Sequence, residues 1–84
     1  MKSKVSIQTL NQLTQNFSEI DEKEFEKDID AVSYFYDQIL DAMQQGFLPI
    51  YENSDHNGYI ERHFGNGNVT VMITLDLCGD QGWS

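Results

Sequence analysis

The chain has 84 residues, room for one small domain and one hydrophobic core. Fourteen acids against five bases give a formal charge of −9, which excludes unaided binding to DNA, RNA or an anionic membrane, because each needs Lys and Arg to neutralise phosphates. Apolar content of 39% with ten aromatics excludes a disordered acidic tail, and the length leaves no second domain to form a deep catalytic cleft.

One domain over residues 1–84 is expected, with 1–5 and 78–84 as flexible ends. MKSKVSIQTLNQL begins with two lysines but lacks the apolar run of a signal peptide. No window reaches the length that spans a bilayer. Cys78 is the one cysteine, so no intrachain disulfide forms. These features point to a soluble protein of a reducing cytoplasm.

In chain order, Ile7, Leu10, Leu13, Phe17 and Ile20 recur at spacings of three and four. That periodicity predicts a first helix from about Ser6 to Asn16, capped by Ser6. Asp21 followed by Glu24 has the form of a capping box and opens a second helix. Along it Phe25, Ile29, Val32, Phe35, Tyr36, Ile39, Leu40 and Met43 make one apolar stripe, spanning an arc of about 140° at 100° per residue. Gly46 ends it as a left-handed cap.

The remainder reads as strands. FLPIY, residues 47–51, contains Pro49 and belongs at an edge or a bulge. YIERHF (59–64) and VTVMITLDL (69–77) flank GNGN, whose Asn66-Gly67 pair predicts a type I′ turn. That turn sets Phe64 opposite Val69, Arg62 opposite Val71 and Ile60 opposite Ile73. These side chains share a face with Leu75 and Leu77, the face expected under the helices. Tyr59, Glu61, His63, Thr70, Met72, Thr74 and Asp76 fall on the other, wet face. The expected fold is α+β: two N-terminal helices packed on one face of a three-stranded antiparallel β-meander, in the order ααβββ. The tail CGDQGWS carries turn formers and receives no element.

Several patterns invite a chemical reading. In NSDHNGYIERHF, residues 53–64, Asn53, Asp55, Asn57, Gly58, Ile60 and Glu61 fit a calcium loop, but the final bidentate Glu is replaced by Phe64. A hairpin turn at Asn57-Gly58 explains the stretch better. His56, His63 and Cys78 show no CxxC, HxxxH or HExxH spacing that would mark a zinc site. Cys78 lies between Asp76 and Asp80, whose charge opposes thiolate formation. Carboxylates are abundant but fall on solvated faces, where nothing shifts them toward acid–base work. With no phosphate loop and no GxSxG elbow, a non-catalytic protein without metal or cofactor is expected.

The charge itself is concentrated. EIDEKEFEKDID, residues 19–30, holds seven carboxylates among twelve positions, with only Lys23 and Lys27 to offset them. On the expected helix, Asp21, Glu22 and Glu24 answer the dipole of the first turn. Glu26, Asp30, Asp37 and Asp41 instead form a stripe away from the apolar face, with Tyr34 beside it on the exposed side. Glu26–Asp30 and Asp37–Asp41 are like-charged pairs four apart, costing a few tenths of a kcal/mol each. No base follows Lys27 in the helix to relieve them. Such a stripe invites a partner that supplies the missing positive charge, so Glu26, Asp30, Tyr34, Asp37 and Asp41 are the candidate partner-binding residues, with Asp55 and Glu61 as outer support. Four charges over about 22 Å of helix are several-fold sparser than the one per about 1.7 Å of duplex DNA. The stripe thus suits a basic groove better than it copies a duplex.

In size and charge the chain resembles the small acidic inhibitors of phages and mobile elements, including anti-CRISPR and anti-restriction proteins, and also acidic antitoxins and nuclease immunity proteins. The resemblance implies an inhibitor that docks on a basic nucleic-acid-binding protein, a nuclease or defence complex, and blocks its nucleic-acid site in the host cytoplasm. The alternative is a structural or regulatory protein, antitoxin-like or a homodimeric adaptor. It would bind through apolar groups such as Tyr59, Met72 and Trp83, with its charge serving solubility alone.

Overall fold

The computed structural model describes residues 2–54 and 58–77. Strands β1 (Ser3–Asn11), β2 (Asn16–Phe17), β3 (Asp21–Phe25), β4 (Leu48–Ser54), β5 (Tyr59–Gly65) and β6 (Val69–Asp76) form one sheet around a single helix, α1 (Asp28–Gln44). The order is β2-β1-β6-β5-β4, with β3 also paired to β1, and every pairing is antiparallel. The fold is therefore mostly β, and the ααβββ expectation is overturned.

The first expected helix is strand β1. Val5, Ile7 and Thr9 face one side of the sheet and Ser6 and Gln8 the other, a period of two carried by β-branched residues. The three-and-four spacing was coincidental, since Leu13, Phe17 and Ile20 are 79%, 59% and 58% exposed. The chain reverses just after β1, where the Asn11 side-chain oxygen accepts from the amides of Leu13 (3.0 Å) and Thr14 (3.3 Å).

The expected capping box at Asp21 and Glu24 is likewise strand: Asp21 pairs with Ile7 and Phe25 with Ser3. Five residues with four charges have little intrinsic preference for a sheet; pairing to β1 overrides propensity. The helix starts later, at Asp28, whose carboxylate accepts a hydrogen bond from the buried Ser3 hydroxyl and ties the helix start to the start of β1. Its other end matches expectation. Gly46 has φ of 93°, and the bonds Phe47 N–H to Ala42 C=O and Gly46 N–H to Met43 C=O form a Schellman cap.

The β5–β6 hairpin forms with the expected faces but a different register. Phe64 lies opposite Val71, Arg62 opposite Ile73 and Ile60 opposite Leu75. Asn66 N–H bonds Val69 C=O, so the loop is Gly67-Asn68, and Gly67 takes a φ of 94°. The Asn66 side chain accepts from the amides of Asn68 and Val69 instead of occupying the turn centre. Moving the turn centre by one residue moves the pairing by two, which preserves the face of every side chain. β4 is the edge strand that Pro49 required, with a register shift between Pro49 and Tyr51.

The core lies between α1 and strands β1, β6 and β5. Ala31 and Ala42 let the helix approach, Phe35 is fully buried between them, and Val5, Phe64, Ile73, Leu75 and Leu77 complete the cluster. Phe35→Ala should therefore cost about 3–5 kcal/mol in a urea denaturation. Leu13→Ala should stay within about 0.5 kcal/mol, the reverse of what a buried first helix would give.

Candidate functional site

The acidic stretch leaves β3 at the edge of the sheet, bends at Glu26 and Lys27, and continues into α1. Asp21, Lys23 and Phe25 face the helix side and Glu22 and Glu24 the other. On α1, Asp30, Asp37 and Asp41 are exposed. They fall on the flank toward β3, because Tyr34 on that flank packs its ring on Phe25, with centroids 5.3 Å apart. Ile7, which pairs with Asp21, lines the same 160 Å³ depression as Asp41. The strand acids and the helix acids thus run side by side along one edge.

Among the described residues no ion pair neutralises Asp21, Glu22, Glu24, Glu26, Asp30, Asp37 or Asp41. Among the described residues the ion pairs are Arg62–Glu52 at 3.9 Å and His63–Glu61 at 2.5 Å, neither of them at the edge. The Lys23 ammonium sits over the rings of Tyr34 (4.9 Å) and Phe25 (5.6 Å), a cation–π arrangement that turns it inward. Asp41 accepts a 2.9 Å hydrogen bond from the uncharged side-chain amide of Gln45.

The expected site residues divide among several locations. Asp30, Asp37 and Asp41 share the exposed helix flank, and Glu26 is exposed in the bend before the helix. Tyr34 is not the unpacked ring expected: it is half-buried against the core and Phe25. Asp55 lies outside the described residues, as do His56, Asn57, Cys78, Asp80 and Trp83. Glu61 sits on the opposite face of the sheet. Its carboxylate meets His63 Nε2 at 2.5 Å and accepts from the Tyr59 hydroxyl at 3.2 Å, while the His63 ring packs on Tyr51 at 4.8 Å.

That Tyr59–Glu61–His63 group is half-buried, and Glu61 also lines a 130 Å³ depression with Ser6, Gln8, Ile20, Met72 and Thr74. Burial foremost, then the charge of Glu61 and its hydrogen bond, raise the Tyr59 phenol above its ordinary 10.0. Among the described residues no three His, Cys, Asp or Glu side chains converge as metal ligands would. No helix of the described residues is long and apolar enough to cross a membrane.

The sequence reading missed one surface. The apolar arc of α1, expected to be wholly buried, is split: Ala31, Phe35 and Ala42 face the sheet, while Ile29, Tyr36, Leu40 and Met43 are 74%, 47%, 57% and 49% exposed. The two alanines were the available signal, since small residues mark where a helix closes on its neighbour. Comparison with protein-family models, curated proteins and solved structures finds no match.

An ultraviolet titration, with Tyr59→Phe as reference, should place this phenol above its ordinary value, and Glu61→Gln should lower it while the contribution of burial remains. Because the folded value exceeds the unfolded one, the associated stability is present below pH 10.0 and is lost as pH rises through the folded value.

Proposed function

We propose that this protein is a non-catalytic inhibitor or interaction protein that docks its acidic edge on a basic nucleic-acid-binding protein and blocks the nucleic-acid site by competition. The observation that carries this reading is the placement of β3 and the acidic flank of α1 along one edge, where Asp21, Glu22, Glu24, Glu26, Asp30, Asp37 and Asp41 form no ion pair among the described residues. Asp21, Glu22, Glu24, Glu26, Asp30, Asp37 and Asp41 less Lys23 and Lys27 leave five net charges. Over the about 22 Å from Glu26 to Asp41, that is one net charge per about 4.4 Å, somewhat sparser than the about 3.4 Å phosphate spacing along one nucleic-acid strand. β3 adds Asp21 on the helix side, beside Lys23, and Glu22 and Glu24 on the other face, where Glu24 lies opposite Lys4. A nuclease or defence complex with a cation-lined channel fits such an edge, and attraction between opposite charges would make encounter fast and salt-sensitive.

The residues proposed to carry the contact are Glu26, Asp30, Asp37 and Asp41 with the acids of β3. Tyr34 holds the two elements together beneath them. Asp55 and Glu61 remain as the outer support expected from sequence, although Glu61 faces away from this edge. The exposed helix stripe favours a second reading, a regulatory protein that binds through an apolar surface with its charge serving solubility.

Affinity capture from the source cell or its phage host separates the two readings. Bound proteins should have basic isoelectric points, elute at about 0.5 M NaCl and be displaced by added single- or double-stranded DNA. Paired Asp37→Lys and Asp41→Lys reversals should weaken capture at least about tenfold at 0.1 M salt. Capture that ignores both salt and reversals would refute the acidic edge.

A further inference from the structure

The helix side of the sheet is unevenly covered. α1 makes its main contacts with β6, β1 and β3; beyond Phe64 of β5, which belongs to the core, β4 is exposed along its whole length and forms an open wing with the Arg62 end of β5. On that wing Arg62, the one arginine, projects to the helix side opposite Ile73 and Glu52. Its ion pair with Glu52 is long, 3.9 Å, and the Glu52 side chain is 65% exposed. Above the wing runs the exposed stripe Ile29, Tyr36, Leu40 and Met43. It faces the wing because the opposite flank of the helix carries Tyr34 against β3.

Charge, spacing and area indicate what covers this surface. On a chain of charge −9, the stripe and its margins, from Ile39 round to Gln44, hold no charged side chain over an arc of about 140°. A basic partner would seek the acidic flank; an uncharged seam suits a body as acidic as this one. Ile29, Tyr36 and Met43 recur every seven residues and run as one exposed line along the helix, while Val32 and Ile39 between them pack on the chain's own core. At about 200 Å² for a fully exposed large side chain, the exposures quoted above give roughly 450 Å² per copy. Two copies with the adjoining floor then reach the about 1,000 Å² that a specific interface needs.

We infer that the occupant is a second copy of this chain, its α1 packed parallel and in register with the first about a two-fold axis. The wing decides the orientation. An antiparallel pair centred on Tyr36 would leave both sheets on the same side and drive the two β5–β4 wings into one space. In the parallel pair the sheets lie on opposite sides, and each helix covers the other copy's wing. The side of α1 turned away from its own sheet, carrying Asp37, then comes over the partner's Arg62. Both β3 strands stay at the outer edges; Asp37 is shared with the acidic-edge reading, so the test leaves it unchanged and uses Ile29, Leu40, Met43 and Arg62, which that reading does not use.

Sedimentation velocity on the full chain, from micromolar to submillimolar concentration, tests it. A concentration-dependent dimer is expected. Ile29→Glu with Leu40→Glu should weaken association at least about tenfold while circular dichroism stays unchanged, since both side chains are exposed, and Arg62→Glu should weaken it several-fold. In a Cys78→Ser background, Met43→Cys should oxidise to a covalent dimer by itself, as a parallel in-register pair requires. A monomer throughout the range, a dimer indifferent to the Glu substitutions, or cross-linking of Met43→Cys only to Ile29→Cys would each overturn the inference.

Discussion

The pairing of β1 with β6 governs the rest of the molecule, because it brings residues 58 to 72 positions apart into register, with Lys4 opposite Asp76 and Asn11 opposite Val69. It places Val5 and Ile7 beside Leu75 and Ile73 and so creates the floor on which α1 rests. It also leaves the other edge of β1 free, and β3 takes that edge. Neither β3 nor the helix start has another anchor of comparable extent. A strand as charged as DEKEF holds its place only because a better strand is already fixed beside it.

From that arrangement the surface chemistry follows. The two outer edges of the sheet are blunted by different means, β3 by charge and β4 by Pro49 with its register shift. The helix meets the sheet through Ala31, Phe35 and Ala42, and this narrow contact sets its rotation. Once the rotation is set, Asp30, Asp37 and Asp41 turn toward β3 and join its acids, while Ile29, Tyr36, Leu40 and Met43 turn over the open wing. One helix therefore separates a charged surface from an apolar one.

The elements legible beforehand were those whose signals are local. Gly46 ended a helix because an αL cap is recognised within a few residues. The β5–β6 hairpin and its two faces followed from alternation and a glycine-bearing loop. Its register did not, because Asn66 used its side chain to accept backbone amides and passed the turn centre to Gly67-Asn68. The helical spacing from Ile7 to Ile20 misled because apolar residues also lie on exposed turns, and Leu13 is one of them. The acid flank of α1 was legible as a stripe, but its continuation on β3 was not.

What the sequence determined by itself is the strong negative charge, the presence of a helix that stops at Gly46 though not its start, the hairpin, and the confinement of Pro49 to an edge. Each rests on composition or on residues close together along the chain, whose preferences act before any tertiary contact forms. Tertiary structure alone decided that the N-terminal segment is a strand inside the sheet, that an acidic segment is its edge, that Asp28 is buried with Ser3, and which half of the apolar helix arc is covered. Those outcomes depend on which distant partner occupies each backbone edge and each helix face. Local propensity is too weak, at about 1 kcal/mol per residue or less, to resist a partner that satisfies a whole strand at once.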